Sequence, residues 1–251
     1  MHLPFYEVTP EMTTDTLLQD FETIARIIRA RRATRHFLSD SIPDGLLDQL
    51  IELARWAPSG YNLQPTHFVA VTDPFVREAL LRPCLNQVQI REAAAVVVLT
   101  ADRNVARNHF EDMLRMEREA DCMTPAYEAL LRWTIPLAFS HGPIGLGWLW
   151  KATLLPVVRM FRAVPELPAV HLRFWLAKQT SLCAMNLMLA AEAAGLASIP
   201  MEGFDESRIR KVLRIPRSQV VVLVVAIGYP APAPSRKTRL PLDRILHRNG
   251  W

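Results

Sequence analysis

The sequence predicts a fold that contains both α-helices and β-strands. Most of the chain carries apolar residues at helical spacing. Three short apolar runs, at 68–71, 93–100 and 219–227, are instead typical of strands, and the second is continuous enough to be buried on both faces. With 251 residues, half of them hydrophobic, the chain is long enough to bury a large core as one or two domains.

The first half of the chain divides into elements by its apolar pattern and its capping residues. Thr14 can cap the first helix. The pattern predicts, in order, an extended arm at 1–13, a helix from Asp15 to about 30, a second helix opened by Pro43 and Asp44, a strand at 68–71, a helix at 75–81, a strand at 93–100 and a helix from about 105 to 120.

The second half contains two unusual apolar segments. The segment from Trp133 to Trp175 is aromatic but broken by Pro and Gly, which predicts a helical lid over a pocket or part of a subunit interface. The helix predicted from Lys178 to Leu196 is apolar almost all round, so it should be buried on every side, at a domain centre or a dimer seam. The pattern then predicts a loop at 200–204, a helix at 206–213 capped by Asp205, a strand at 219–227 and a Pro-rich tail.

Charge and cysteine usage exclude several classes of function. The formal net charge is +4, and the 29 basic residues are interleaved with acidic ones, which predicts a mixed solvated surface and no nucleic-acid partner. The three cysteines have no metal-ligand spacing and are typical of reduced thiols. No signal sequence is recognisable, so a cytoplasmic location is expected. Polar residues interrupt the apolar middle, which argues against a membrane span and leaves membrane-surface contact as a minority interpretation.

Two stretches carry polar groups beyond what packing needs. Four arginines lie within 29–35, more than a helix C-terminus requires, and they suit an anion such as a phosphate. The loop at 57–67 offers the side chains of Ser59, Asn62 and Gln64, whose hydroxyl and amide groups suit the edge of a planar heterocycle. Taken alone, this loop is equally consistent with an ordinary helix end and turn.

Four motifs, taken together, resemble those of the FMN-dependent nitroreductase superfamily. They are Arg31–Arg35, Pro58–Gln64, Pro200–Gly203 and Lys237–Arg239, and the resemblance covers residues 20–100 and 178–245. It implies a nitroreductase-like α+β fold with a central mixed β-sheet flanked by helices, in an intertwined homodimer built around the 178–196 helix. It also implies a single domain over 1–251, with the arm at 1–13, an apolar insertion at about 125–177 and an extended tail at 229–251.

The resemblance also assigns residues to each part of the cofactor. It implies that Arg31, Arg32, Ala33 and Arg35 lie along the FMN phosphate, ribityl chain and pyrimidine edge. It implies that the second subunit supplies Pro58, Ser59, Gly60 and Asn62, followed in the motif by Gln64. It further implies that Asn86 and Gln89 approach the isoalloxazine, that Pro200, Met201, Glu202 and Gly203 turn a backbone N–H toward the reactive flavin nitrogen, and that Lys237 and Arg239 clamp the phosphate.

The sequence departs from the family pattern at two of these positions. Ala33 stands where a serine is common, which removes a hydroxyl contact. Gln89 stands where some members carry lysine, which leaves Arg35 as the expected cation beside the pyrimidine. A flavin supplies its own chemistry, so no acid–base side chain is obligatory. The sequence shows no catalytic triad or metal set, and four histidines are expected to be structural or surface residues: His67, His109, His141 and His171.

The resemblance implies an oxidoreductase that moves electrons from NADH or NADPH to nitroaromatic, quinone or similar acceptors by a ping-pong mechanism. Two alternatives stay open at this point. One is a different reaction on the same flavin scaffold, such as flavin fragmentation, dehalogenation or azoline oxidation. The other is a flavin-holding protein that docks on a membrane or on a partner protein.

Overall fold

The computed structural model describes residues 14–140, 153–154, 156–163, 167–231 and 237–251. Its labelled helices are α1 (Thr14–Ala30), α2 (Leu46–Arg55), α3 (Pro74–Leu81), α4 (Gln89–Glu92), α5 (Val105–Asn108), α6 (Phe110–Glu119), α7 (Pro125–Phe139), α8 (Leu172–Ala193) and α9 (Glu206–Leu213). Its strands are β1 (Thr66–Val71), β2 (Ala95–Asp102), β3 (Ala197–Met201) and β4 (Gln219–Gly228). Short 3₁₀ turns occupy Gly60–Asn62 and Leu242–Arg244.

The four strands form one sheet in the order β1-β2-β4-β3. The α+β class is confirmed, but the expected mixed pairing is wrong for this sheet, because every neighbouring pair of these strands is antiparallel. Among the described residues, parallel pairing is limited to one isolated bridge, between Ala33 and Ser198 at the edge of β3 that faces away from β4. The segment carrying Ala33 makes only isolated bridges, the next one between Phe37 and Pro230, so it does not become a fifth strand in the described chain.

Both faces of the sheet are covered by helices. On one face, Val96 and Val98 of β2 join a core with residues of α3, α4 and α9. On the other face, Val97 and Leu99 join a core with residues of α2 and α8. Every residue of β2 is buried as a result. This double burial explains why the strand is a nearly continuous apolar run in the sequence.

The long helix α8 differs from its prediction in extent and in burial. It begins at Leu172, earlier than expected, and ends at Ala193, just before Gly195 in the left-handed region at φ 76°. Residues such as Leu187 are fully buried in the chain, whereas Leu182 is 44% exposed. The expectation that this helix is buried on every side is therefore wrong for a single chain: one stripe packs on the sheet and other side chains remain exposed.

Two further predictions are corrected by the structure. Pro200 and Met201 belong to β3 and not to a loop, and proline is tolerated there because β3 is an edge strand that pairs only with β4. The helix predicted over 105–120 is interrupted at His109, which separates α5 from α6. The helix predicted from Asp15 is confirmed and begins one residue earlier, at Thr14. The predicted Asp205 cap of α9 is also confirmed, since the Asp205 side chain accepts a hydrogen bond from the backbone N–H of Arg208 at 3.1 Å.

The apolar middle of the chain is described in part. In α7, Ile135 and Phe139 are buried while Trp133 is 69% exposed. Residues 1–13, 141–152, 155, 164–166 and 232–236 lie outside the described residues. The predicted arm, and the part of the predicted lid that holds Trp148 and Trp150, fall there. Within the described part of the chain, none of the helices has the length and apolar character needed to cross a membrane.

Candidate active site

Lys237 connects the C-terminal tail to the end of α1. Its Nζ donates hydrogen bonds to the carbonyl oxygens of Arg29 and Ala30. These carbonyls belong to the last turn of α1, where backbone acceptors have no partner within the helix and attract cations. The contact brings residues from both ends of the sequence together.

A cluster of cations surrounds this contact. Partial burial lowers the pKa of Lys237, and the positive charges of Arg32, Arg31 and Arg239 lower it further, while the carboxylate of Glu192 acts in the opposite direction. The bonds of Lys237 to the carbonyls of Arg29 and Ala30 place its ammonium group next to Arg31 and Arg32 in the chain, and Arg239 follows two residues after Lys237. We call Arg31, Arg32, Lys237 and Arg239 the cation cluster. Mutual repulsion of this kind is relieved when an anion binds.

Arg31 has a polar atom that suits such an anion. Its Nη1 lies 4.0 Å from the Sδ of Met188 on α8, which is a weak acceptor. Its Nε is buried and has no hydrogen-bond partner among the described residues. A buried donor without an acceptor costs free energy. The oxygens of a phosphate would satisfy both the unpaired donor and the charge, so the residues present fit a phosphate group.

The segment Arg31–Arg35 lies directly beside β3. The backbone N–H of Thr34 donates to the carbonyl of Ser198 at 3.2 Å, next to the bridge between Ala33 and Ser198. Since β3 ends at Met201, the exposed residues Glu202 and Gly203 follow at the same edge of the sheet. Two predicted site segments, Arg31–Arg35 and Pro200–Gly203, are therefore neighbours.

A chain of glutamine amides joins a third segment to this edge. Gln87 donates from Nε2 to the carbonyl of Gly203 at 2.8 Å and to that of Cys84 at 3.0 Å. Gln89 in turn donates from Nε2 to the Oε1 of Gln87 at 2.9 Å and is only 7% exposed. Asn86 is exposed, in the left-handed region at φ 56°. Gln89 thus orients Gln87, a residue that the sequence analysis missed, since a bond to a residue so distant in the chain leaves no local pattern.

The fourth segment, Pro58–Gln64, is a tight loop with an internal hydrogen-bond network. The Oγ of Ser59 accepts from the backbone N–H of Gln64 at 2.9 Å, and the Nε2 of Gln64 donates to the Oδ1 of Asn62 at 3.2 Å. Tyr61, Asn62 and Gln64 all have positive φ, at 57°, 50° and 50°. Consecutive non-glycine residues in this region are uncommon and are often held there for function.

This loop is attached to α8 and α6. The N–H of Gly60 donates to the Oε1 of Gln179 on α8 at 2.8 Å, and Asn62 donates to Glu117 on α6 at 2.6 Å. Gly60 also lies against the indole of Trp175, since a Cβ built on it would be 3.1 Å from that ring.

The Pro58–Gln64 loop contacts α8 at Gln179, whereas Arg31 contacts the same helix at Met188. Gln179 and Met188 are separated by about 13.5 Å along the helix axis, at 1.5 Å per residue. Within one chain, the contacts therefore bring together Arg31–Arg35, Asn86–Gln89, Pro200–Gly203 and Lys237–Arg239, and they attach Pro58–Gln64 to a different part of α8. The origin of this loop in the second subunit stays a prediction.

Gln179 provides a test of how the loop is held. In Gln179→Ala the N–H of Gly60 loses its acceptor, and we expect a destabilisation of about 1 kcal/mol, the usual net contribution of one hydrogen bond. Gln179→Glu keeps the acceptor oxygen for Gly60 and loses only the long bond from its Nε2 to the carbonyl of Trp175 at 3.4 Å, so it should lose less stability than Gln179→Ala. Thermal unfolding of the three proteins measures the difference. Equal loss of stability in both variants would show that packing of the side chain, and not this bond, holds the loop.

Comparisons with known proteins assign the chain to a family. The nitroreductase family model matches residues 28–229. An NADH dehydrogenase of Thermus thermophilus is 32% identical over 216 residues, which cover 86% of this chain and 91% of that protein. The oxygen-insensitive NADPH nitroreductase of Salmonella typhimurium is 23% identical, over 90% of this chain and 73% of its own. A solved structure from Exiguobacterium sibiricum, named as a nitroreductase in complex with FMN, has a TM-score of 0.69 at 24% identity and covers 90% of this chain and 97% of its own. The chain therefore belongs to the nitroreductase family.

Proposed function

We propose that the protein is an FMN-dependent oxidoreductase that moves electrons from NADH or NADPH to nitroaromatic, quinone or similar acceptors. The observation that carries this proposal is the cation cluster, in which Lys237 binds the last carbonyls of α1 beside Arg31 and Arg32, and the Nε of Arg31 is buried without a partner among the described residues. Two comparisons support it: a protein of the same fold is solved with FMN, and two relatives are named for NADH or NADPH.

The cation cluster would hold the phosphate of FMN. A phosphate monoester carries nearly two negative charges at neutral pH, and arginine matches its oxygens with paired donors. Arg31, Arg32, Lys237 and Arg239 supply more positive charge than one phosphate needs. The ribityl chain would then run along Ala33 toward the edge of β3. The methyl group of Ala33 offers no hydrogen bond, so only the backbone of Ala33 could bind a ribityl hydroxyl there.

The ring of FMN would lie against the end of β3. Arg35 is exposed near this edge and is assigned to the pyrimidine side, and Pro200–Gly203 presents its backbone. Gln87 holds the carbonyl of Gly203, so it fixes the direction of this backbone. Asn86 and Gln89 stand on the same turn. Bound FMN would supply the hydride and electron transfer, and these residues bind and orient it.

The proposed active unit is a homodimer. The apolar residues Phe21, Ile24 and Ile28 lie three and four positions apart on α1, and they are 64%, 56% and 49% exposed. Leu182 and Phe174 of α8 are also exposed. Large apolar side chains left exposed along one stripe of a helix favour an interface. A partner on this surface would bring its own Pro58–Gln64 loop to the ring, which explains why the loop lies apart from the cation cluster within one chain.

The insertion at about 125–177 is proposed to select the acceptor within the single domain. Its first helix, α7, packs against the Pro58–Gln64 loop. Leu63 of that loop is buried in one cluster with Ile135 and Phe139 of α7. Phe139 meets Trp175 edge-to-face, with ring centroids 5.0 Å apart. An apolar cover attached at this point favours bulky apolar acceptors over small polar ones.

Steady-state kinetics test the proposed function. FMN-loaded protein is mixed with NADH or NADPH, and oxidation is followed with and without a quinone or a nitroaromatic compound. We expect acceptor-dependent oxidation, with parallel lines in double-reciprocal plots, because the donor leaves before the acceptor binds. Loaded protein that oxidises neither donor faster when an acceptor is added would contradict the proposal and would favour a flavin-holding role.

Arg35→Ala should slow flavin reduction more than it weakens FMN binding, because Arg35 is assigned to the ring and not to the phosphate. A cation beside the pyrimidine stabilises the negative charge that grows there as the hydride arrives. Because Arg35 is exposed and screened by solvent, we expect reduction by NADH or NADPH to slow by only about tenfold, with a smaller change in the Kd for FMN. Stopped-flow reduction and an FMN titration give the two values. Arg217→Ala, in the exposed turn before β4, is the control and should change neither; an Arg35 variant that loses affinity but keeps its rate would reverse the assignment.

A further inference from the structure

Three side chains that can bind metals meet on the side of the sheet next to the Pro58–Gln64 loop. His67 lies in β1, Asp102 is the last residue of β2, and His109 lies between α5 and α6. One potential ligand atom from each lies within 4.8 Å of the other two. The two imidazole rings are 5.7 Å apart, measured between centroids. The group forms only in the folded chain, since His67 is far in sequence from the other two residues.

His109 is already held as a metal ligand would be. Its Nδ1 lies 3.0 Å from the carbonyl oxygen of Leu63. A carbonyl can only accept, so Nδ1 carries the proton and Nε2 keeps a free lone pair. Histidines that bind metals usually donate their other ring N–H to a carbonyl or a carboxylate, which fixes the tautomer and the direction of the ring.

Asp102 is a buried carboxylate with a fixed orientation. The residue is 2% exposed. Its Oδ1 accepts from the backbone N–H of Asn104 at 2.9 Å, and its Oδ2 accepts from the Nδ2 of Asn108 at 2.6 Å. Each oxygen keeps further lone pairs. The ion pairs found among the described residues do not include Asp102, and a buried carboxylate without a cation is costly. A metal ion would supply the missing positive charge.

We propose that His67, Asp102 and His109 form a site for one divalent transition-metal ion, with zinc as the representative. Two imidazoles and one carboxylate are a ligand set that suits such ions and leaves a fourth position for water. Bonds of about 2.0–2.1 Å in a tetrahedral site place ligand atoms roughly 3.3 Å apart. The ligand atoms must therefore approach one another by up to about 1.5 Å. His67 is partly exposed and has no hydrogen bond among the described contacts, so it is the side chain free to rotate inward.

The position of the site gives it a structural role. The ion would tie β1 and β2 to the α5–α6 junction, and through the hydrogen bond of His109 it would also hold Leu63. Leu63 lies inside the Pro58–Gln64 loop. A bound ion would therefore stiffen that loop at Leu63, a second point of attachment besides the bond of Gly60 to Gln179. This inference does not depend on which cofactor or acceptor the protein uses.

Metal titration of the untagged protein tests the inference. After treatment with a chelator and its removal, the protein is titrated with Zn²⁺ by calorimetry and with Co²⁺ by visible absorption, which reports coordination geometry. We expect one Zn²⁺ per chain and a Co²⁺ spectrum of four or five ligands. His67→Gln and His109→Gln should each weaken Zn²⁺ binding tenfold or more, since loss even of a supporting group around a metal site has effects of that order.

The control is His36→Gln. His36 is an exposed histidine whose Nδ1 lies 3.2 Å from the carboxylate of Glu92. It therefore represents a surface histidine next to one carboxylate, outside the proposed site. It should bind Zn²⁺ like the wild type. Thermal unfolding gives a second readout, because Zn²⁺ should raise the Tm of the wild type and of His36→Gln but not that of His67→Gln. Binding of much less than one Zn²⁺ per chain, or equal affinity in His67→Gln and the wild type, would overturn the proposal and leave a hydrogen-bonded cluster only.

Discussion

Arg239→Ala is expected to raise the Kd for FMN by tenfold or more. The guanidinium is exposed and donates to the carbonyl of its neighbour Thr238 at 2.7 Å, so its removal should not disturb the fold. A charge-assisted hydrogen bond contributes about 1.5–3 kcal/mol, which corresponds to roughly a 10- to 150-fold change in Kd. Titration of the flavin-free protein, followed by quenching of flavin fluorescence, measures this value.

Two controls sharpen the result for Arg239. Riboflavin has the same ring and ribityl chain as FMN but no phosphate, so its affinity should be almost unchanged in Arg239→Ala. Arg244→Ala removes another exposed arginine from the same tail, outside the cation cluster, and should bind FMN like the wild type. If Arg239→Ala weakens riboflavin as much as FMN, Arg239 does not bind the phosphate.

A double substitution on α1, Phe21→Glu with Ile28→Glu, is expected to produce monomers that lose their flavin. Burial of a large apolar side chain contributes about 1.5–3 kcal/mol, and each glutamate would add the cost of a buried charge. In a symmetric dimer every substitution acts twice. Light scattering after size exclusion gives the mass, and absorption near the flavin band gives the flavin content.

Phe75→Glu is the matched control for this substitution. Phe75 is 87% exposed on α3, away from α1, so this change adds the same charge at an apolar surface residue of another helix. It should leave both dimer and flavin intact. A wild-type protein that is monomeric with its flavin fully bound would contradict the proposed dimer, as would a dimeric double variant that retains its flavin.

Helices and strands were predicted correctly from the sequence where a single effect, such as burial on both faces or helix capping, sets the residue pattern. β2 and β4 are buried on both faces, so they appear as continuous apolar runs. Asp205 marks the start of α9 because it caps it. β3 was missed because it is short and contains Pro200, which is tolerated only at an edge. The burial of α8 was overstated, since composition alone cannot tell a face covered by the chain from one left for a partner.

Some residues of the candidate site were also predictable from the sequence, and others were not. The Arg31–Arg35 and Lys237–Arg239 motifs were visible because each is a local excess of charge, and the structure places them together. Gln87 and Gln179 were missed, since their roles are hydrogen bonds to residues far away in the chain. The meeting of His67 with His109 was likewise not visible, and both were expected to be structural or surface residues. His67 and His109 meet only because the sheet places the end of β2 beside β1, and the spacing of residues in the sequence does not reveal this contact.

The chromophore released on denaturation tests the central claim most directly. The protein, purified without added flavin, is denatured, and the supernatant is separated by chromatography against FMN, FAD and riboflavin standards. The cation cluster suits one terminal phosphate, and the sequence has no glycine-rich dinucleotide loop after a strand. We therefore predict FMN, at about one molecule per chain. A colourless protein that also fails to bind added FMN would contradict the account.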